Sequence, residues 1–228
     1  MTAGSVVGAG PKMALGWSGG KDSALALWVL RRRRGAVTRL LTTVTEDFDR
    51  VSMHGVRRSL LVRQAAAAGV PLTVVSIPQR CADDVYEARM AQALASAAVR
   101  DVEEVAFGDL FLADIRAYRE RQLARAGMRA RFPLWHRDTR ALARHFIAAG
   151  FGAIVVCVDP ARLDASFAGR RYDASFLADL PDDVDPCGER GEFHTFVHAG
   201  PIFTAPVPCR TGDVIESGGF VFCDLVAT

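Results

Sequence analysis

The stretch that decides the fold is "MALGWSGGKDS", residues 13–23. A short apolar run, Met13 to Trp17, breaks into Ser18-Gly19-Gly20-Lys21-Asp22-Ser23 and passes at once into the apolar "ALALWVL". Strand, glycine turn and helix in that order make an anion trap. The glycines let backbone N–H groups face a ligand, and the helix N-terminus adds partial positive charge. Two common versions fail here. The Walker pattern needs glycine where Leu15 stands and Ser or Thr where Asp22 stands, and the dinucleotide fingerprint fails because Gly16 is followed by Trp17 and Ser18. What remains is a loop in which Ser18 and Ser23 can donate to phosphate oxygens and Lys21 supplies a compact charge. Asp22 would repel an anion, so it is expected to orient the loop or to help hold Mg²⁺. The rival reading is a turn in which Asp22 or Ser23 merely caps the helix. Lysine speaks against that reading: Lys12 and Lys21 are the only lysines among 28 basic residues. Lys and Arg are not interchangeable where one phosphate charge is met in a tight loop.

Outward from this loop, apolar runs alternate with amphipathic stretches. "MALGW" (13–17), "RLLTTV" (39–44), "LTVVSI" (72–77) and "EEVAFG" (103–108) read as buried strands. Between them "SALALWVLRRRR", "GVRRSLLVRQAAAAG" and "VYEARMAQALASAAV" carry helical spacing. Gly35 and Gly69 stand where left-handed caps would end the first two helices. Such alternation predicts an α/β fold with a parallel sheet covered on both faces and a ligand site beyond the carboxyl ends of its strands. Later residues predict a helix over 138–149, a strand over 153–158 and, after turn-rich text from Pro160, a final pair of strands. The expected organisation is a flexible leader over 1–11, a nucleotide-binding domain over 12–128 and a smaller α+β substrate domain over 129–228.

Half of the residues are hydrophobic and the formal net charge is +2, which favours a cored domain and gives no reason to expect nucleic acid or an acidic membrane as partner. The run Arg31–Arg34 closes a predicted helix, where cations meet the dipole favourably. The five cysteines are scattered, without Cys-x-x-Cys spacing, which argues against a disulfide framework or a zinc site. "MTAGSVVGAGPK" lacks the pattern of a secretory signal, and no run is long enough to span a bilayer; a cytoplasmic location is expected.

"SGGKDS" after the first strand resembles the pyrophosphate-binding PP-loop of the ATP pyrophosphatases, whose domain is the HUP-like adenine nucleotide alpha hydrolase fold. Three further segments resemble the diphthine–ammonia ligase family and its bacterial relatives: "RVSMHGVR" (50–57), "FGDLFLADIRAYRE" (107–120) leading to "PLW" (133–135), and "DPCGERGEFHTFVHAGPIF" (185–203). The resemblance implies that ATP is cut between its α and β phosphates. A substrate oxygen attacks the α phosphate, pyrophosphate leaves, and an amine then displaces AMP. It implies ATP and Mg²⁺ as cofactors and a carboxylate acceptor, either a small molecule or a modified protein side chain, with ammonia as nitrogen donor and a homodimer left open. Rival readings are a tRNA-modifying ATP pyrophosphatase and a regulatory protein that binds ATP or AMP without turnover.

The site residues expected on these grounds are Ser18, Gly19, Gly20, Lys21, Asp22, Ser23 and His54 for the nucleotide, with Asp22 and Asp109 also as metal ligands. Lys21, Asp22, Asp109, Glu189, Glu192 and His194 are expected to carry the chemistry. Each has a plainer alternative: a turn histidine for His54, a helix cap for Asp109, solvated turn carboxylates for Glu189 and Glu192. In "GERGEFHT" two glycines bracket a turn, after which Glu192, His194 and Phe196 should share one side of a strand and Phe193, Thr195 and Val197 the other. The segment differs from the more usual acidic-aromatic version at His194 and in "DPCGE", which bears on the acceptor and not on the ATP chemistry.

Overall fold

In the computed structural model, which describes residues 11–33, 36–96, 99 and 101–228, the opening apolar run forms β1 (Lys12–Gly16) inside a six-stranded sheet. The chain continues through α1 (Lys21–Arg32), β2 (Ala36–Thr45), the short β3 (Arg50–Val51), α2 (Arg58–Ala68) and β4 (Leu72–Ile77). Then come α3 (Asp83–Ala95), β5 (Glu104–Ala106), α4 (Ala113–Arg125) and β6 (Arg129–Arg131). The parallel strands run β4-β2-β1-β5-β6, and β3 pairs antiparallel with the end of β2. The chain winds from β1 to β2 and β4 in one direction, then returns to β5 and β6 on the other side. That reversal opens a crevice beyond the carboxyl ends of β1 and β5, where ligands of such sheets bind.

Gly69 ends α2 in the left-handed conformation, as expected (φ 64°). Gly35, the other expected cap, and residues 1–10 of the expected leader lie outside the described residues, as does Arg34 of the arginine run. The first sheet continues past residue 128 to Arg131, because Arg129 and Arg131 both pair with the buried Glu104 of β5 (3.1 and 2.7 Å).

After α5 (Thr139–Ala148) the second sheet is antiparallel throughout, in the order β8-β7-β10-β9. Its strands are β7 (Gly152–Val158), β8 (Phe193–Ala199), β9 (Cys209–Ser217) and β10 (Phe220–Ala227), with α6 (Ala174–Asp179) between β7 and β8. Strand periodicity splits β1 between two cores: Met13 and Leu15 point to one face, Ala14 to the other. The first face is shared by both halves of the chain, since Leu15, Leu27 and Leu60 lie in one cluster with Phe146, Val155, Phe193 and Phe196. The opposite face is filled by Leu41, Val75, Val105, Phe107 and Leu123.

β10 is tied back to the first sheet by an ion-pair clamp. Asp224 takes Arg50 Nη1 of β3 at 2.8 Å and Arg57 Nη2, from the N-cap of α2, at 2.5 Å. Burial opposes the Asp224 charge, but the bonds from Arg57 and Arg50 outweigh it and hold the carboxyl down at about 2. A depressed carboxyl pKa stabilises the fold above its unfolded value near 4 and loses that contribution as pH falls towards 2. Both arginines are partly exposed, so solvent screening discounts the clamp to about 1 kcal/mol. Asp224→Asn is therefore expected to lose about 1 kcal/mol in urea unfolding at pH 7, and the gap from wild type should close near pH 2. A gap that is unchanged at low pH would refute the clamp.

Candidate active site

A cleft of about 350 Å³ opens at the carboxyl ends of β1, β2 and β5, where the switch in strand order puts it. Its floor is the loop from Gly16 to Ser23. Ser18, Gly20, Lys21, Asp22 and Ser23 line it, together with His54, Asp109, Glu189 and His194. These residues are far apart in sequence, and the fold brings them to one place. Gly19 and Glu192 are not among the lining residues.

Gly19 acts through its backbone. Its φ of 78° is open to glycine, and a Cβ there would lie 2.6 Å from Gln64 Oε1. In this conformation its carbonyl accepts from Val197 N of β8 (2.9 Å) and from Gln64 Nε2 (3.0 Å). Gly20 has no room for a side chain either, with a Cβ reaching 3.0 Å from both His54 Cε1 and Thr195 O. Gly20 is the N-cap of α1 and makes no side-chain cap bond, so the capping role considered for Asp22 and Ser23 is not what they do. Ser23 Oγ donates to Gly20 O (2.9 Å), and Gly20 N donates to Ser18 Oγ (3.3 Å).

Lys21 is buried, 5% exposed, with its Nζ 2.7 Å from Asp22 Oδ2 and 5.5 Å from the centre of the Phe193 ring. Burial works against its charge, but the facing Asp22, joined by Glu189 and the other groups around it, raises the pKa of Lys21 and the ammonium is kept. Burial also pushes the Asp22 carboxyl up, and Lys21 offsets only part of that. Asp109, at the end of β5, pairs with Arg119 Nε of α4 (2.8 Å), whose guanidinium lies 4.2 Å over the Phe107 ring. The N-cap of α4 is Leu112, so Asp109 is not the helix cap.

The far wall comes from the "GERGEFHT" turn. Gly188 and Gly191 take positive φ (64° and 88°) and bracket it. Glu189 Oε1 accepts from Leu110 N at 2.6 Å, which ties the turn to the loop after β5. Burial pushes the Glu189 carboxyl up to about 7, against the pull of that bond. Glu192 faces away: its two oxygens accept from Asp185 N (3.1 Å) and Arg190 N (2.9 Å), and it holds the turn closed. The expected grouping of Glu192 with His194 in the cleft is thus not what the strand presents. β8 is covered on both faces, with Phe193, Thr195, Phe196 and Val197 all buried.

His54 and His194 stack, ring centres 4.5 Å apart and 29° between planes. Burial and the neighbouring His194 hold His54 well below the usual imidazole range, while burial and Lys21 push His194 down to about 4. Both rings are therefore neutral at pH 7, which leaves nitrogen lone pairs in the cleft. Cys187 is a buried thiol of the same turn, pushed up in pKa by burial and so inert. Trp135 is not among the cleft's lining residues; its ring is tilted against Phe132 and lies beneath Arg116.

Two family models match the chain, the diphthamide synthase N-terminal domain over residues 11–130 and the diphthamide synthase C-terminal domain over residues 138–215. The chain belongs to the diphthamide synthase family. Its "SGGKDS" is the PP-loop of the ATP pyrophosphatase superfamily, here at the carboxyl end of β1. The diphthine–ammonia ligase of the fission yeast Schizosaccharomyces pombe is 26% identical over 134 residues, covering 55% of this chain and 21% of that protein. This chain thus spans about a fifth of that relative's length.

Within this diphthamide synthase-family cleft, two residues outside the expected set hold the loop. Gln64 of α2 is fully buried and joins three segments. Its Nε2 donates to Gly19 O and to Val197 O (2.6 Å), and its Oε1 accepts from Trp17 Nε1 (3.1 Å). Thr195 Oγ1 accepts from Lys21 N at 3.0 Å. A buried glutamine inside an apolar helical pattern is the one signal that could have pointed to Gln64, since a buried amide requires partners. Gln64→Leu keeps the volume, orphans Trp17 Nε1 and takes a donor from the carbonyls of Gly19 and Val197, and a loss of about 3 kcal/mol is expected. Urea unfolding measures it, and a loss under about 1 kcal/mol would contradict this role.

Proposed function

We propose that this protein is an ATP-dependent amide ligase that adenylates a carboxylate, releases pyrophosphate, and then lets ammonia displace AMP. The observation that carries this reading is the single cleft that joins the PP-loop to an ionisable carboxyl near neutrality and two neutral imidazoles. The residues up to Arg131, the end of β6, supply the PP-loop, and those after it carry the acceptor side and close the cleft through β8. The acceptor carboxylate belongs to a small molecule or to a modified protein side chain.

In the first step an oxygen of the acceptor carboxylate attacks the α phosphorus, and the bond from that phosphorus to the α–β bridging oxygen breaks. The electron pair leaves with pyrophosphate. Ser18, Gly20, Lys21 and Ser23 meet the charge that builds there, and Gly19 keeps the loop in shape. His54 flanks the same phosphates. In the second step ammonia attacks the acyl carbon and AMP leaves with the electron pair of the C–O bond. The nitrogen must lose a proton to end as an amide. Glu189, whose carboxyl sits near 7, is the group suited to take it. His194 offers the incoming nitrogen a neutral contact, and Glu192 acts by holding the turn that carries Glu189.

The carboxylates available for a metal are Asp22 and Asp109, each already in an ion pair, and no cage of three or more such ligands forms among the described residues. That donor set matches Mg²⁺, which binds through one or two carboxylates and the phosphates of its substrate. When bound it would neutralise charge on the departing pyrophosphate. Beyond these groups and the proton taken by Glu189, the cleft positions and orients.

Protein incubated with ATP labelled at the α phosphate, Mg²⁺, ammonium and a panel of carboxylates is expected to yield labelled AMP and pyrophosphate. Formation of ADP and phosphate in their place would sink the α–β cleavage. The rate should also depend on pH through Glu189. As a general base it is active when ionised, so the amide-forming rate rises as pH passes through about 7. Glu189→Gln should remove this rising limb and slow the reaction about 10²–10⁴-fold. An unchanged pH profile in that variant would assign the proton to another group.

A further inference from the structure

Several polar groups of the PP-loop bond to one another. Gly20 N is bonded to Ser18 Oγ, Ser23 Oγ to Gly20 O and Lys21 Nζ to Asp22. Lys21 N, the first amide of α1 and so one of those that a helix leaves without an intrahelical acceptor, is bonded to Thr195 Oγ1 of β8. Thr195 comes from the other half of the chain, 174 residues away. Its side chain lines the cleft and is 2% exposed.

A hydroxyl carries one hydrogen as well as its lone pairs. Thr195 Oγ1 uses a lone pair towards Lys21 N, and among the described residues no acceptor takes its hydrogen. A buried hydroxyl that faces a cleft with an uncommitted hydrogen has a place for an anionic oxygen. Its position is fixed twice over by the backbone: Val197 N bonds to Gly19 O, and Thr195 O lies 3.4 Å from His54 Nδ1. The strand is docked through Val197 and Gln64, so the threonine hydroxyl is not required for docking. It polarises well, because an amide at a helix N-terminus donates to it and strengthens its own O–H as a donor.

We propose that Thr195 is a pyrophosphate-binding residue, an extra donor that the C-terminal half adds to the PP-loop. The chain of bonds runs from Lys21 N–H to Thr195 Oγ, and from Thr195 O–H to an oxygen of the β or γ phosphate. The cleft then binds the leaving pyrophosphate with groups from both halves of the chain. This rests on the ATP-cleaving reading of the cleft. Because the hydroxyl meets the diphosphate end of the nucleotide and not the adenosine end, it should discriminate between pyrophosphate and AMP.

The test is titration calorimetry of the full chain with Mg²⁺-pyrophosphate and, separately, with AMP. Thr195→Val keeps the shape and β-branching and removes the hydroxyl; Thr195→Ser restores it. The expected result is a loss of pyrophosphate affinity of about tenfold to a hundredfold in Thr195→Val, as for a hydrogen bond to a charged group. AMP affinity should stay within about twofold, and Thr195→Ser should hold pyrophosphate as wild type does. Pyrophosphate binding by Thr195→Val that is equal to or tighter than wild type, while wild type binds it well, overturns the proposal and leaves the ligase reading standing. It would mean that the hydroxyl only occupies the lysine amide. Equal losses for both ligands would reduce Thr195 to a structural contact and also overturn it. A wild-type protein that binds neither pyrophosphate nor AMP overturns both readings together.

Discussion

Gly19 can turn its carbonyl out of the nucleotide loop because a φ of 78° costs glycine little. That carbonyl meets Val197 N of β8 and the amide of Gln64, both within 3.0 Å. Through this one acceptor the parallel sheet, α2 and the antiparallel sheet share a fixed geometry. The groups involved are buried, so any of them left without a partner carries the full desolvation penalty. The arrangement therefore tolerates little change. Asp224 makes a second tie on the other side of β2, but it lies nearer solvent and contributes less.

The chemistry of the cleft follows from the same docking. β8 brings His194 against His54 and Thr195 against Lys21. The turn before β8 brings Glu189 to the loop after β5. Low exposure then sets the protonation states, with an ammonium kept charged by its carboxylate partner, two imidazoles kept neutral, and a carboxyl raised to about 7. In the proposed reaction the ammonium would meet the departing anion and the raised carboxyl would take the proton from the nitrogen. Membership of the diphthamide synthase family gives this arrangement its context.

Local signals in the sequence reached a good part of this. The strand–glycine–helix order of residues 13–23 and the repeated alternation that follows are short-range features, and β1, β2, β4 and β5 with the helices between them formed where periodicity put them, whereas β6 was not foreseen. Gly69 was legible because a left-handed cap is a local requirement. Residues such as Asp109 and Glu189 stood at strand ends or in a glycine-bracketed turn, which is where loops deliver side chains to a cleft. Long-range pairing was not legible. Nothing near Gln64 in the sequence says that it will bridge Gly19 and Val197, and nothing near Arg129 or Arg131 says that Glu104 will bring them into the first sheet. Glu192 shows the limit of counting by two along a strand. Its register fits the cleft side, yet two backbone amides of its own turn claim the carboxylate.

The central claim is that both halves of the chain build one nucleotide cleft around the Gly19–Val197 contact. Amide hydrogen exchange with and without Mg²⁺-ATP tests it most directly, since it needs no knowledge of the acceptor. Nucleotide should slow exchange both in the loop around residues 16–25 and in β8, residues 193–199. Slowing confined to the loop, with β8 unchanged, would contradict the account.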